Sequence, residues 1–139
     1  MKKTAVIYWS GTGNTEAMAN AVAEGMKEAG AEVAVMTPDQ VNSLNGYASI
    51  AFGCPAMGTE VLEEVDFQPM FDGCKNSLGG KSVALFGSYG WGDGEWMRNW
   101  EKDCEDAGVN LVCESVTCCE APDDAALSAC HEMGKALAK

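Results

Sequence analysis

The chain has 139 residues, the size of one domain. A domain of that size buries about two-thirds of the surface its unfolded form exposes, without a disulfide or metal staple. Nine Lys and Arg stand against 21 Asp and Glu, a formal net charge of −12. That balance excludes a nucleic-acid binder, which needs a basic face, and disfavours an anionic membrane surface. Protein partners are expected to present basic patches, because opposite potentials speed encounter.

Seven cysteines are scattered at 54, 74, 104, 113, 118, 119 and 130. The odd count argues against a secreted disulfide scaffold. Met1-Lys2-Lys3-Thr4 leads into a short apolar run without a cleavage-like site, and no run of membrane-spanning length occurs. A reduced thiol set in a cytoplasmic, monomeric protein is the expectation.

Thr4 to Trp9 is apolar, β-branched and aromatic, and predicts a strand buried on both faces. After a Gly-rich turn, Glu16 to Ala29 predicts a helix, with Met18, Ala21, Val22 and Met26 near one face and Gly30 as its stop. Glu32 to Met36 is a second strand, and Pro38-Asp39 opens a short segment of one helical turn. Ala48 to Gly53 is a third strand, followed by a loop and a helix near Phe67 to Cys74. Ser82 to Gly87 is the fourth strand. A second Gly-rich loop leads into a helix from Glu95 to Ala107, where Trp96 and Trp100 stand at i, i+4 as packing residues. Asn110 to Thr117 reads as one uninterrupted fifth strand. The last helix runs from about Asp123 to Ala138, with Leu127, Cys130, Gly134 and Leu137 on one face, acids at its start and lysines at its end, as the helix dipole favours. Five strands separated by helices make a doubly wound α/β parallel sheet over residues 1–139, with helices on both faces. Ligands of such sheets sit beyond the C-terminal strand ends.

The first such loop is Ser10-Gly11-Thr12-Gly13-Asn14-Thr15. Glycines let the backbone curl around an anion, hydroxyls donate to its oxygens, and the helix start adds positive potential. A Walker A loop would need a Lys-Ser or Lys-Thr pair, and the dinucleotide fingerprint needs a third Gly where Glu16 stands. The ligand is therefore expected to be a terminal monophosphate held by neutral donors. Four hydroxyl or amide side chains in six residues exceed what a simple capped turn requires.

Read as SGTGNTE after the strand end YW, this segment resembles the FMN phosphate loop of flavodoxins. CPAMG and FGSYGWGDGEW resemble the clostridial-type short-chain members in particular. The resemblance implies the flavodoxin-like strand order 2-1-3-4-5 and FMN as cofactor. It further implies a low-potential one-electron carrier that cycles mainly between the neutral semiquinone and the anionic hydroquinone. It assigns the ring edge to Pro55, Ala56, Met57, Gly58, Thr59 and Glu60: Met57 packs on one ring face, and Glu60 accepts from ring N3–H. The peptide after Gly58 turns over on one-electron reduction so that a carbonyl accepts from N5–H. A positive φ at Gly58 and a β-branched Thr59 predict a II′-type turn there. Ser88, Tyr89, Gly90, Trp91 and Gly92 form the third loop, with Trp91 on the second ring face and Ser88 adding a phosphate contact. Gly58, Met57 and Trp91 are thus the residues closest to the redox chemistry.

Glu60, Glu63, Glu64, Asp66, Asp93 and Glu95 lie near the flavin loops in sequence, and some of them are expected near the ring, where they would raise the energy of its reduced, anionic form. Trp9 is expected to pack, His131 to be a surface group, and Cys119 to be a surface thiol. No C-x-x-C pair occurs, so no metal site is expected. An FMN-dependent oxidoreductase such as a quinone reductase is the alternative, but short loops leave little room for a substrate and no general acid or base stands out. A phosphate-switch receiver would need an acidic pocket where Ser10 stands.

Overall fold

A computed structural model describes residues 2–139. Six strands and four α-helices follow in the order β1 (Lys3–Tyr8), α1 (Asn14–Glu28), β2 (Glu32–Met36), β3 (Ser49–Gly53), α2 (Phe67–Cys74), β4 (Ser82–Tyr89), α3 (Glu95–Asp106), β5 (Asn110–Leu111), β6 (Val116–Cys119) and α4 (Asp124–Ala138), with 3-10 turns at Pro38–Gln40 and Lys75–Ser77. All pairings within the sheet are parallel, in the order β2-β1-β3-β4-β5, and β6 also pairs with β4. The sheet is the expected one with one correction. The fifth strand is not continuous over Asn110 to Thr117. It breaks after Leu111 and resumes at Val116, opposite Phe86, so β5 and β6 share one lane beside β4. The cause is legible afterwards: Cys113-Glu114-Ser115 interrupts the apolar pattern with two polar residues at the sheet edge, where no outer neighbour enforces pairing.

The central strands are apolar because helices cover both faces. Ala5, Ile7, Ile50, Phe52, Val83 and Leu85 face α2 and α3, and Val6, Ala51, Ala84 and Phe86 face α1 and α4. On the first face Trp100 meets Phe67 and Phe71 edge-on at 5.4 and 5.6 Å, and Phe71 meets Phe52 edge-on at 5.1 Å, geometries the ring quadrupole favours. Trp96 and Trp100 are buried, as their helical spacing implies.

On the other face α1 and α4 lie close enough to leave no room for side chains at two crossings. A Cβ at Gly134 would stand 2.0 Å from the Val22 carbonyl oxygen, and one at Gly25 would stand 2.0 Å from the His131 carbonyl oxygen. His131 is only half-buried, and its Nε2 meets Glu28 Oε2 at 2.6 Å across the same pair of helices. Asp123 caps α4 by accepting from the Ala126 N–H at 2.8 Å.

Ala in place of Gly ordinarily strengthens a helix by up to about 1 kcal/mol. Gly134→Ala should do the reverse, destabilising by about 1–3 kcal/mol as the helices are forced apart. Urea unfolding measures it, and a variant as stable as the parent would refute the close crossing.

Candidate functional site

The loop between β1 and α1 is closed by one hydroxyl. Ser10 Oγ accepts from the Gly13 N–H at 3.1 Å and from the Glu16 N–H at 3.3 Å. Gly13, the N-cap of α1, sits in the left-handed region at φ 92 and brings no side chain to cap the helix. Among the described residues, no protein acceptor meets the N–H groups of Gly11, Thr12, Asn14 or Thr15. The unpaired N–H groups at the helix start, together with the helix dipole, make an anion cradle. Thr15 is buried beneath it, with Oγ1 3.3 Å from Ser88 Oγ. Ser88 and Tyr89 belong to β4, which runs two residues past the predicted strand end. The pair of hydroxyls therefore joins the phosphate loop to the central strand.

After β3, Met57 and Val61 pair antiparallel, with N···O distances of 2.8 and 3.1 Å. Three residues lie between them, so the turn is longer than the two-residue II′ turn expected. Gly58 has the positive φ the sequence predicts, at 45, but Glu60 also turns left-handed at φ 56, a closing conformation that three-residue hairpins use. This bend sends the Glu60 carboxylate to the next loop. Its Oε1 accepts from the Glu95 N–H at 3.0 Å, at the start of α3. A Cβ on Gly92 would stand 2.5 Å from the Glu60 carboxyl carbon, and Gly92 itself has φ 88. Trp96 completes the brace: its Nε1 donates to the Cys54 carbonyl at 3.1 Å, and its ring tilts against Tyr89 at 5.5 Å. Trp91 stands 63% exposed at the loop tip.

A cleft of about 570 Å³ opens among these loops, within the size range of small-molecule sites. Of the predicted residues, Gly11, Thr12, Asn14, Pro55, Ala56, Met57, Ser88, Tyr89 and Gly90 line it. Ser10 and Gly13 face a neighbouring cavity shared with Glu16, Asp39 and Asp66. Gly58, Thr59, Glu60, Trp91 and Gly92 flank the lining residues without bounding the cleft. Trp9, Glu120 and Ala121 line it too. Sequence reasoning assigned Trp9 to packing alone and passed over the other two. Glu120 and Ala121 directly follow β6, at the C-terminal end of the strand beside β4, and the strand-end rule marks that place.

The carboxylates near the loops divide by role. Asp93 pairs with Arg98 at 2.9 Å, and this bond and the guanidinium charge hold its carboxyl below the usual range. Glu63 is spent on structure. Its carboxylate accepts from the N–H groups of Val65, Asp66 and Phe67 at 2.7 to 2.9 Å, and so anchors the start of α2. Its own N–H points to Cys54 Sγ at 3.3 Å. Burial pushes the Cys54 thiol up to about 12, which keeps it neutral. For Glu63, burial raises the pKa, but the three N–H bonds outweigh it and the net shift is downward. A depressed carboxyl contributes stability that is full above its unfolded value, near about 4.3, and that is lost as pH falls through the folded value. Glu63→Gln should therefore flatten the acid limb of the stability profile while lowering stability at neutral pH. Urea unfolding between about pH 7 and 3 reads both, and an unchanged acid limb would exclude this role.

Three comparisons place the site in a family. The flavodoxin family profile matches residues 6–134. The chain is 46% identical over 137 residues to a flavodoxin of Megasphaera elsdenii, covering 96% of this chain and 97% of that one. It is 44% identical over 135 residues to a flavodoxin of Clostridium beijerinckii, covering 96% and 97%. The solution structure of two-electron reduced Megasphaera elsdenii flavodoxin superposes with a TM-score of 0.88 at 44% identity, covering 97% of this chain and 98% of that one. A cationless cradle of N–H groups beside a cleft framed by Met57, Tyr89 and Gly90 fits FMN by its own geometry. With profile, relatives and fold agreeing over nearly its whole length, the chain belongs to the flavodoxin family of FMN-binding electron carriers.

Proposed function

We propose that this flavodoxin is a low-potential one-electron carrier of the cytoplasm, working as a monomer between the one- and two-electron-reduced states of its FMN. The observation that supports this reading is the charge of the cleft. No Lys or Arg lines it, and Glu120 does. Arg98, at the start of α3, is committed to Asp93. Bound FMN supplies a ring that accepts electrons one at a time and is an anion when fully reduced. One carboxylate at about 12 Å opposes that anion by about 0.3 kcal/mol at a dielectric of 80 and about 1.4 kcal/mol at 20, and about 1.4 kcal/mol is about 59 mV for one electron. Several carboxylates together lower the second couple by a hundred millivolts in order of magnitude.

The chain's residues divide the remaining work. Ser10 to Thr15 hold the phosphate through N–H groups and hydroxyls, and Ser88 supports Thr15 from below. Met57 and Trp91 cover the ring faces and limit water. The Gly58 peptide, free of a Cβ and outside the Met57–Val61 pairing, would be the group to offer a carbonyl to an N–H on the reduced ring. Glu60 keeps one oxygen on the Glu95 N–H and has the other for N3–H. Redox partners dock through basic patches against the acidic surface.

Stepwise anaerobic reduction of the FMN-loaded protein tests this. A long-wavelength band rising and falling through the titration is expected. Direct bleaching would remove the one-electron reading, and NAD(P)H-driven turnover would favour an oxidoreductase. The second midpoint should rise with ionic strength as the carboxylates are screened. A second experiment tests the bracing of the loops. Gly92→Ala meets the Glu60 carboxylate and a left-handed φ, whereas a Cβ at Gly73, in α2 and outside the cleft lining, meets nothing within 4 Å. Gly92→Ala should weaken FMN binding by about tenfold, the equivalent of about 1.4 kcal/mol, with Gly73→Ala near neutral. Fluorescence quenching of FMN reads both constants, and equal affinities would dissolve the brace.

A further inference from the structure

A concavity larger than the flavin cleft lies beside it, a groove of about 900 Å³ between the β6 edge and α4. Its floor is the Val116 to Cys119 strand, and its wall is the exposed outer stripe of α4: Ala125, Ala129, Glu132 and Ala136, at i, i+4, i+7 and i+11. Small side chains on the helix leave beside β6 the width of one more strand.

Among the described residues, β6 pairs on one side only, with β4. The Glu120 N–H donates to the Tyr89 carbonyl at 2.7 Å. Backbone groups in a parallel ladder alternate in direction along the strand. Those of Val116 and Cys118 therefore face β4 with Glu120, and the N–H and C=O groups of Thr117 and Cys119 face outward into the groove.

Charge and position name the occupant. Glu114, Asp123 and Glu132 line the groove, and no Lys or Arg does. The nearest cation on α4, Lys135, is 3.8 Å from Glu132 and outside the lining. A second copy of a chain of net charge −12 is repelled from such a surface. The groove also opens onto the redox site, because Tyr89 and Ala121 line both it and the flavin cleft. We infer that this groove docks an extended, lysine-bearing segment of a redox partner protein. The segment adds a strand to the free β6 edge and brings the partner's surface to the flavin. Main-chain pairing to Thr117 and Cys119 supplies the affinity, small apolar side chains meet the α4 alanines, and lysines meet Glu114 and Glu132. The inference rests on the electron-carrier reading, which the anaerobic titration tests separately.

The probe is an acetylated peptide in which lysines alternate with valines, titrated into FMN-loaded, nitrogen-15-labelled protein. The largest amide shifts and the slowed hydrogen exchange should fall on Thr117, Cys119 and the outer stripe of α4. Thr117→Pro removes an outward N–H without touching the β4 ladder, a place where an edge strand tolerates proline. It should keep FMN bound and weaken the peptide by about fivefold or more. Should that variant fail to retain FMN, the pair Glu114→Gln and Glu132→Gln carries the test, with weaker binding and a smaller salt dependence expected. Three results would overturn the proposal: shifts confined to the loops at 57–61 and 90–94, affinity indifferent to both sets of changes, or sedimentation showing that the groove is covered by a second copy.

Discussion

The structure turns on holding a phosphate dianion in a chain of net charge −12 without a cation in the cleft. Only oriented dipoles can do this, and they are available in number at one kind of place, the start of a helix. The cost is conformational. N–H groups must stay unpaired, and the loop that carries them must be rigid enough not to fold back and satisfy itself. Ser10 meets both demands: it takes up the N–H groups of Gly13 and Glu16, which fixes the curl, and, among the described residues, those of Gly11, Thr12, Asn14 and Thr15 keep no protein acceptor. Thr15 and Ser88 then fasten the curl to β4. A cation would bind the phosphate with less architecture, but it would also stabilise the reduced ring and raise the potential.

The same economy governs the ring loops. Neither is held by regular secondary structure, and each is tied to the other through α3. Glu60 closes its own turn and takes the Glu95 N–H. Trp96, one residue further, donates to the Cys54 carbonyl where β3 ends. The start of α3 therefore acts as a joint between the turn that carries Gly58 and the loop that carries Trp91. A Gly58 peptide that turned on reduction, as proposed, would do so inside a frame whose two ends are fixed, at the Met57–Val61 pairing and at the Glu60 carboxylate.

How much of this the sequence discloses depends on the range of the interaction. Strand period, the Ser10 to Thr15 pattern and the helical spacing of Trp96 and Trp100 are local, and the fold and the three loops follow from them. Glu63 shows the limit. Its neighbours in sequence suggest a surface carboxylate near the flavin, yet three N–H groups within four residues turn it into the anchor of α2. Glu60 and Gly92 are linked across 32 positions by a contact that no local pattern encodes. The break in the fifth strand is a matter of edges. Inside a sheet two polar residues would be forced into register, and at its margin they are released. Glu120 and Ala121 enter the cleft because β6 resumes and carries the chain to the same height as Tyr89.

The distribution of charge ties these features to traffic with other proteins. Salt screens exposed charges over roughly a Debye length, about 8 Å at physiological ionic strength, so a carboxylate about 12 Å from the ring would keep part of its effect, and those on the far surface would add little to the potential. Glu114 and Glu132 flank the groove at the sheet edge, where encounter is the physical work a charge can do. Were tuning the sole role of acidity, the carboxylates would crowd the cleft. Instead most cleft-side acids are committed to caps and pairs: Glu60 to α3, Glu63 to α2, Asp93 to Arg98. Glu120 is the exception within the cleft lining, and Glu114 and Glu132 stand exposed at the groove. On the proposed reading, acids within reach of the ring would raise the energy of its reduced form, and those beyond that reach would favour basic partners and oppose a second copy of the chain.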